Sequence, residues 1–161
     1  METLLPILQE HPFFADLPKE YLETITGCAK NVKYQPGEFI FRTGEKAEKF
    51  YLVRFGMVSA EIKLPNKKCV IIDTEGTGEV FGWSWLFPPY KWHFDARAMV
   101  LTRVLEMDGK CLRDKQEQDH HLGYVLMKHF GRMMQEHLEG IRAQIMDFYK
   151  NPYEEKSMSV F

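Results

Sequence analysis

The residues most able to do chemistry in this chain are aromatic, and they are crowded together. All three tryptophans, Trp83, Trp85 and Trp92, fall within ten residues. Indole rings stack on planar ligands and attract cations to the ring face, and they also fill cavities, since each aromatic side chain buries roughly 150 to 250 Å². The stretch is predicted to be either an aromatic binding site or a pocket filled by its own rings. The predicted pocket residues are Phe81, Gly82, Trp83, Ser84, Trp85, Tyr90, Lys91, Trp92, His93 and Phe94.

Polar groups in this stretch give weaker signals. Lys91 and His93 offer positive charge to an anion, although a solvated lysine and a hydrogen-bonded structural histidine explain them more simply. A haem sensor needs an axial ligand such as His93, and a cupin-type enzyme needs paired histidines on adjacent strands. His93 stands alone in the predicted strand region, and no nucleophile and base pair is recognisable. We therefore expect no haem, no other cofactor and no catalysis.

Histidines and cysteines elsewhere do not form a recognisable metal pattern. His129 and His137 share a face of a predicted helix, but no neighbouring carboxylate or cysteine completes a zinc motif, so no metal site is predicted. Cys28, Cys69 and Cys111 are odd in number and widely separated, which argues against a disulfide framework. We expect them to be reduced structural residues.

Composition limits the possible functions. The 161 residues carry 21 basic and 23 acidic side chains, so the formal net charge of -2 supplies no basic field for direct nucleic-acid binding. No apolar run approaches the roughly 18 residues of a membrane span, and the N-terminus lacks a signal-peptide pattern. These features predict a cytoplasmic protein with one domain over residues 1–150 and a flexible tail over residues 151–161.

The chain changes from helical to strand periodicity near Ala29. Residues 4–29 have apolar residues at helical spacing, whereas short strands separated by Gly, Pro and Asn turns follow. Strands are predicted at 31–34, 38–42, 49–54, 57–63 and 68–74, with two more between Ala96 and Met107. This spacing favours a β-roll or sandwich over residues 30–108. Asp108 is the predicted N-cap of a short helix that carries Cys111 and Leu112.

A long helix, the fourth along the chain and labelled α4, is predicted over residues 119–150, which contain no proline. One face carries Leu122, Leu126, Phe130 and Met133, which suit packing on the roll. A second row has the spacing of a coiled coil, and we name it the α4 seam: Met127, Gly131, Met134, Leu138, Ile141, Ile145 and Phe148. A single broad core-facing stripe is the alternative, but so long a helix outreaches a small roll, which favours a homodimer.

Several motifs in a fixed order resemble the cyclic-nucleotide-binding domain of Crp/Fnr-type regulators, from about His11 to Tyr149. This resemblance implies a mainly β fold with flanking α-helices: an eight-stranded β-roll (a double-stranded β-helix or jelly roll), N-terminal helices and a long C-terminal dimerisation helix. The motifs are Phe13-Phe14-Ala15-Asp16-Leu17-Pro18, Tyr34-Gln35-Pro36-Gly37-Glu38-Phe39-Ile40-Phe41, Gly44-Glu45-Lys46-Ala47, Phe50-Tyr51-Leu52-Val53, Gly56-Met57-Val58, Arg97-Ala98 and Leu105-Glu106-Met107-Asp108.

The resemblance also implies where a nucleotide would bind. In that family a Gly-Glu pair accepts the ribose hydroxyl, and an Arg followed by Ser or Thr and Ala clamps the cyclic phosphate. The family spacing places Trp83 at the glutamate after the cassette glycine Gly82, and Trp92 at the arginine. His93 and Phe94 then occupy the hydroxyl and alanine positions. Both charged groups are replaced by indoles, so ordinary binding of cyclic AMP or cyclic GMP is not expected.

Three functions remain open. The first is a stand-alone regulatory, ligand-sensing module without a DNA-binding domain, in which a ligand or a partner protein engages the loop from Phe81 to Phe94 and shifts the long helix. The second is a genuine cyclic-nucleotide sensor in another register, with Glu79 and Arg97 as the nucleotide contacts. The third is a structural or interaction subunit whose pocket is plugged. The first two differ in whether a cyclic nucleotide binds.

Overall fold

The computed structural model describes residues 4–150 and contains eight strands and four α-helices. The helices are α1 (Leu4–Glu10), α2 (Lys19–Gly27), α3 (Gly109–Gln118) and α4 (His120–Lys150), and a short 3-10 helix spans Ser84–Leu86. The strands are β1 (Ala29–Tyr34), β2 (Phe39–Phe41), β3 (Lys49–Phe55), β4 (Met57–Lys63), β5 (Cys69–Gly76), β6 (Val80–Phe81), β7 (Asp95–Ala98) and β8 (Thr102–Asp108). The predicted order of helices, eight-stranded roll and long C-terminal helix is confirmed.

The strands form two antiparallel four-stranded sheets. Their orders are β1-β8-β3-β6 in the first sheet and β2-β7-β4-β5 in the second. Both sheets contribute to one buried cluster, which includes Tyr51 and Val104 from the first sheet and Phe41 and Ala96 from the second. The sheets therefore face each other across an apolar interior.

The first sheet is covered on both faces. Alternate residues of β3 point in opposite directions, and each set lies in a different buried cluster. Tyr51 and Val53 belong to the interior of the roll, whereas Phe50 and Leu52 belong to a second core beneath the helices. That second core, the helical core, contains buried side chains from all four helices. β3 thus connects the roll interior with the helical core.

One turn of the roll requires glycine for two reasons. Gly56, between β3 and β4, has a φ of +105°, in the region that disfavours side chains. A Cβ atom placed there would lie 2.6 Å from the Oγ1 of Thr102 and 2.7 Å from the carbonyl oxygen of Leu101. The tight β3–β4 hairpin therefore depends on the missing side chain.

The start of α3 matches its sequence signal. Asp108 is the N-cap, and its Oδ1 accepts a hydrogen bond of 2.9 Å from the backbone N–H of Cys111. Asp119 plays a similar part at the start of α4, where its Oδ1 accepts hydrogen bonds from the N–H groups of His121 and Leu122. These two aspartates set where the chain leaves the roll and where the long helix begins.

The two predicted faces of α4 differ in burial as expected. The roll-facing residues Leu122, Leu126, Phe130 and Met133 are buried in the helical core. Most of the α4 seam is exposed, with 61% of Leu138, 50% of Ile141, 53% of Ile145 and 57% of Phe148 accessible to solvent. Met133 is the last buried residue of the helix, so more than half of α4 lies beyond the last side chain that it buries in the helical core.

The expectation for the cysteines is wrong for two of the three. Cys28, after α2, and Cys111, in α3, form a disulfide with Cα atoms 6.4 Å apart, whereas Cys69 is free and exposed. The pairing spans 83 residues of sequence, and it arises because the end of α2 meets α3 beside β8. Separation along the chain therefore gave no guide to separation in space.

Two further expectations concern membrane spans and the C-terminal tail. Within residues 4–150, no helix combines the length and the apolar character that crossing a membrane requires. The tail predicted over residues 151–161 lies outside the described residues.

We expect Leu126→Ala to lower the free energy of unfolding by about 2 to 5 kcal/mol, because Leu126 is fully buried against the helical core. The neighbouring Met127→Ala is the matched control. Met127 is 42% exposed in the isolated chain and should lose far less. Urea denaturation at a concentration that keeps the chain monomeric measures both. Equal losses would contradict the assignment of the two helix faces.

Candidate functional site

The interior of the roll is filled by aromatic rings. Trp92, which is 3% exposed, stacks on Phe41 with ring centroids 3.7 Å apart and an angle of 9° between the ring planes. Tyr51 stacks on Phe81 with centroids 4.9 Å apart, and Phe94 contacts Phe41 edge to face at 5.3 Å. We call these five residues the aromatic plug. They fill the apolar interior between the two sheets.

Local backbone geometry directs Trp92 into this space. Gly82 follows β6 with a φ of +87°, and a Cβ atom there would lie 2.9 Å from Cη2 of Trp92. The 3-10 helix begins two residues later, as expected after a cassette glycine. The backbone of Trp92 is fixed from both sides, because its N–H donates to Glu45 and its carbonyl accepts from Gly44, at 3.0 and 2.8 Å.

Trp83 and Trp85 lie outside the roll interior, so the three tryptophans do not form one site. Trp85 is fully buried in the helical core, stacked on Phe50 at 5.2 Å and edge to face with Phe130 of α4 at 5.5 Å. The half-buried Trp83 contacts the ring of His137 at 5.5 Å. The expectation that Trp83 and Trp92 face one cavity is therefore wrong. The chain turns at Gly82 and directs the two indoles into different cores.

The alternative nucleotide contacts do not face the interior. Arg97 and Ala96 are neighbours on β7 and point to opposite faces of the sheet, and Ala96 is the one in the interior cluster. The Arg97 guanidinium instead donates a 2.5 Å hydrogen bond to the buried carboxylate of Glu61. Glu79 lies in the exposed turn before β6, where its carboxylate accepts from the N–H of Gly76. The two side chains thus serve separate structural roles in this structure.

The other predicted pocket residues differ in their exposure. Lys91 and His93 are exposed, and Phe81 and Ser84 are buried. Tyr90 is half-buried, and the guanidinium of Arg113 lies 4.2 Å from the centre of its ring. Arg113 also donates a 2.6 Å hydrogen bond to the carbonyl of Trp85. This arginine of α3 therefore holds two points of the loop, a role that sequence pattern did not indicate.

A buried glutamate with two hydrogen-bond donors lies beside the aromatic plug. The buried carboxylate of Glu106 accepts hydrogen bonds of 2.5 Å from the hydroxyl of Tyr34 and 2.7 Å from Nζ of Lys49. Burial and the neighbouring Glu106 raise the pKa of Tyr34 and of Tyr51 above the ordinary value. Both phenols therefore stay neutral at physiological pH, and the charges of Glu106 and Lys49 offset each other.

A histidine of α4 contacts two acidic side chains of β5. Nδ1 of His137 lies 3.0 Å from Oδ2 of Asp73, and Nε2 lies 3.7 Å from Oε1 of Glu75. Burial, together with the carboxyl groups of Asp73 and Glu79, raises the pKa of Glu75 to about 9. The hydrogen bond to Asp73 raises the pKa of His137, although burial acts in the opposite direction. The expectation that no carboxylate accompanies the helix histidines is wrong for His137.

Surface cavities lie elsewhere. One of 390 Å³ follows α3 and is lined by Asp108, Lys110, Cys111, Asp114, Lys115 and Gln118. A second of 240 Å³ lies between α2 and the start of α4. Neither is lined by residues of the loop or of the aromatic plug.

The fold is a β-roll with flanking helices, and its interior holds aromatic side chains. The chain belongs to the cyclic nucleotide-binding domain family: residues 31–119, more than half of its length, match that family. The family is one of regulatory ligand-binding domains.

Solved structures agree with this assignment. A protein from Geobacter metallireducens GS-15, named for cyclic nucleotide binding, is 28% identical with a TM-score of 0.76, and the match covers 86% of this chain and 98% of that one. A cyclic nucleotide-binding domain from Methylobacillus flagellatus KT is 16% identical with a TM-score of 0.75, covering 91% and 82%. The regulatory subunit of a cAMP-independent protein kinase A from Trypanosoma brucei is 17% identical with a TM-score of 0.70, covering 83% and 47%. The last two support the shared fold alone.

Because Trp83 and Trp92 belong to different clusters, we expect their truncations to act independently. Trp92→Ala should cost about 3 to 5 kcal/mol, the usual loss for a buried aromatic ring, and the half-buried Trp83→Ala less. The double variant should equal the sum of the two within about 0.5 kcal/mol. Chemical denaturation of all four proteins measures this coupling. A coupling above 1 kcal/mol would mean that the two indoles share a site after all.

Proposed function

We propose that this chain is a dimeric regulatory module that works without binding a cyclic nucleotide inside its roll. It is a non-catalytic protein that acts on partner proteins through the loop and α4, with no direct contact to nucleic acid and with the cytoplasm as its location. The observation that carries the proposal is the stack of Trp92 on Phe41 in the roll interior. Among the three functions that the sequence leaves open, this one joins the regulatory module with the plugged pocket.

The energetics of phosphate burial support this proposal. A cyclic phosphate is an anion, and removing it from water costs several kcal/mol unless guanidinium or N–H donors replace its hydration. The aromatic plug offers ring faces, whose quadrupole repels anions and attracts cations. Glu106, which neighbours Tyr51 of the plug, is already paired with Lys49. Binding a nucleotide there would require expelling Trp92 and supplying a new cation.

The genuine-sensor alternative meets two obstacles. Arg97, whose side chain is partly exposed, would have to leave the buried Glu61, and the Glu61 carboxylate would then lack its counter-charge. The side chain would also have to cross to the other face of β7, which a rotamer change alone does not achieve. These obstacles favour the module whose roll interior stays closed.

Signal transfer is proposed to run from the loop to α4. The loop is exposed at Phe87, Lys91 and His93, where a partner protein has access. Behind these residues, Trp85 contacts Phe130 and Trp83 contacts His137, both on α4. A partner that prefers one position of the loop therefore biases the position of the long helix.

The α4 seam supports the dimer part of the proposal. Four of its side chains, Leu138, Ile141, Ile145 and Phe148, are at least half exposed in a single chain. Their spacings of three, four and three residues keep them on one side of the helix, as in a coiled coil. Gly131 has open space around its Cα, so a second backbone has room to approach there. A second copy of the chain would remove this apolar surface from water.

We expect no binding of cyclic AMP or cyclic GMP in isothermal titration calorimetry. Lacking the bidentate arginine clamp should weaken affinity by roughly 2 to 5 kcal/mol, or one and a half to nearly four decades. Arg97→Ala is the matched variant and should behave like the wild type. A low-micromolar dissociation constant that Arg97→Ala abolishes would instead establish the sensor function.

We expect the wild type to sediment as a dimer and Ile141→Glu as a monomer, because the substitution places two carboxylates in an apolar contact at a cost of several kcal/mol. Ala143→Glu adds the same charge at an exposed position off the seam and should remain dimeric. Sedimentation velocity at tens of micromolar separates the cases. A monomeric wild type would disprove the dimer, and a dimeric Ile141→Glu would place the interface elsewhere.

A further inference from the structure

We propose that Asp73, Glu75 and His137 form a binding site for a divalent transition-metal ion at the contact between β5 and α4. The site lies outside the roll interior and does not depend on whether a nucleotide or a partner protein binds. Zn²⁺ is the ion that we take as the probe.

The three side chains converge from two elements. Asp73 and Glu75 are two residues apart on β5, so they project from the same face of the strand. His137 approaches them from α4, and one ligand atom from each residue lies within 4.8 Å of the other two. In a tetrahedral zinc site with bonds of 2.0–2.2 Å, ligand atoms are about 3.4 Å apart. Asp73 lies 3.0 Å from Nδ1 of His137 and Glu75 lies 3.7 Å from Nε2. Only one of these nitrogens can bind a given ion, so the ring or a carboxylate must shift slightly to bring all three ligand atoms to that spacing.

Glu75 is the side chain that most requires a cation. It is 9% exposed, and Nε2 of His137 approaches its carboxylate only to 3.7 Å, which exceeds hydrogen-bonding distance. Its other close neighbours are the carboxyl groups of Asp73 and Glu79. Two ionised carboxylates repel each other unless a proton or a metal ion lies between them. Glu75 therefore faces two carboxyl groups, and the basic group beside it is the His137 imidazole.

The donor atoms select the class of metal. Imidazole nitrogen with carboxylate oxygen suits zinc, manganese, iron and cobalt, whereas calcium and magnesium prefer oxygen alone. Three protein ligands leave a position open for water in a tetrahedral shell. The edge of Trp83 packs on the imidazole of His137 at 5.5 Å and restricts its rotation. An ion held here would join the second sheet of the roll to the helix that carries the α4 seam.

Calorimetry and spectroscopy on the chelator-treated full chain test the site. Zn²⁺ should bind the wild type at one ion per chain, and Co²⁺ should show the visible absorption of a four- or five-coordinate complex. Glu75→Gln and His137→Gln should each weaken Zn²⁺ binding by about 10-fold to 100-fold or more. His120→Gln, which removes an exposed histidine from the same helix, is the matched control and should bind like the wild type.

Circular dichroism establishes that each variant is folded, and Asp73→Asn replaces any variant that is not. A wild type that binds none of Zn²⁺, Co²⁺ and Mn²⁺ at one ion per chain would overturn the proposal. Unchanged binding in the folded Glu75 and His137 variants would also overturn it, because the ion would then be held elsewhere. Calorimetry with cyclic nucleotides reports on the proposed function separately, so failure of either proposal leaves the other intact.

Discussion

The stack of Trp92 on Phe41 determines what the rest of the roll can do. An eight-stranded roll must fill the space between its sheets with a ligand, water or side chains, because empty volume forfeits packing energy. Here five aromatic residues fill it, and the absence of a side chain at Gly82 leaves room for the Trp92 ring. The same aromatic packing therefore stabilises the roll and closes its interior.

Two cores share one sheet, and this arrangement links the closed roll to the helices. Successive residues of β3 face opposite cores, with Phe50 in the helical core and Tyr51 in the aromatic plug. The loop does the same over a shorter distance, since Trp92 enters the roll and Trp85 enters the helical core. Arg113 then attaches the loop to α3 through the carbonyl of Trp85. A displacement in one core must be accommodated by the other.

Local sequence patterns predicted the helices and strands well, but they did not predict contacts between residues that are far apart in the sequence. Helix faces and strands follow from periodicities of 3.6 and 2, which a single segment displays. Trp83 was misplaced because the direction of the chain after Gly82 depends on a turn and on α4, which the spacing of tryptophans does not encode. The Cys28–Cys111 disulfide and the meeting of His137 with Asp73 join residues 83 and 64 positions apart, counting 111 − 28 and 137 − 73. Only the folded chain brings such residues together.

The length of α4 beyond its last buried residue makes it a lever arm. From Met133 to Lys150 the helix advances 17 residues, or about 26 Å at 1.5 Å per residue. A tilt of about 10° at Met133 therefore moves the end of a straight helix sideways by about 4 to 5 Å, roughly half of the 8–10 Å between the axes of packed helices. A small rearrangement of packing beside the loop is geometrically sufficient to change how closely the exposed side chains at the far end approach a neighbouring helix.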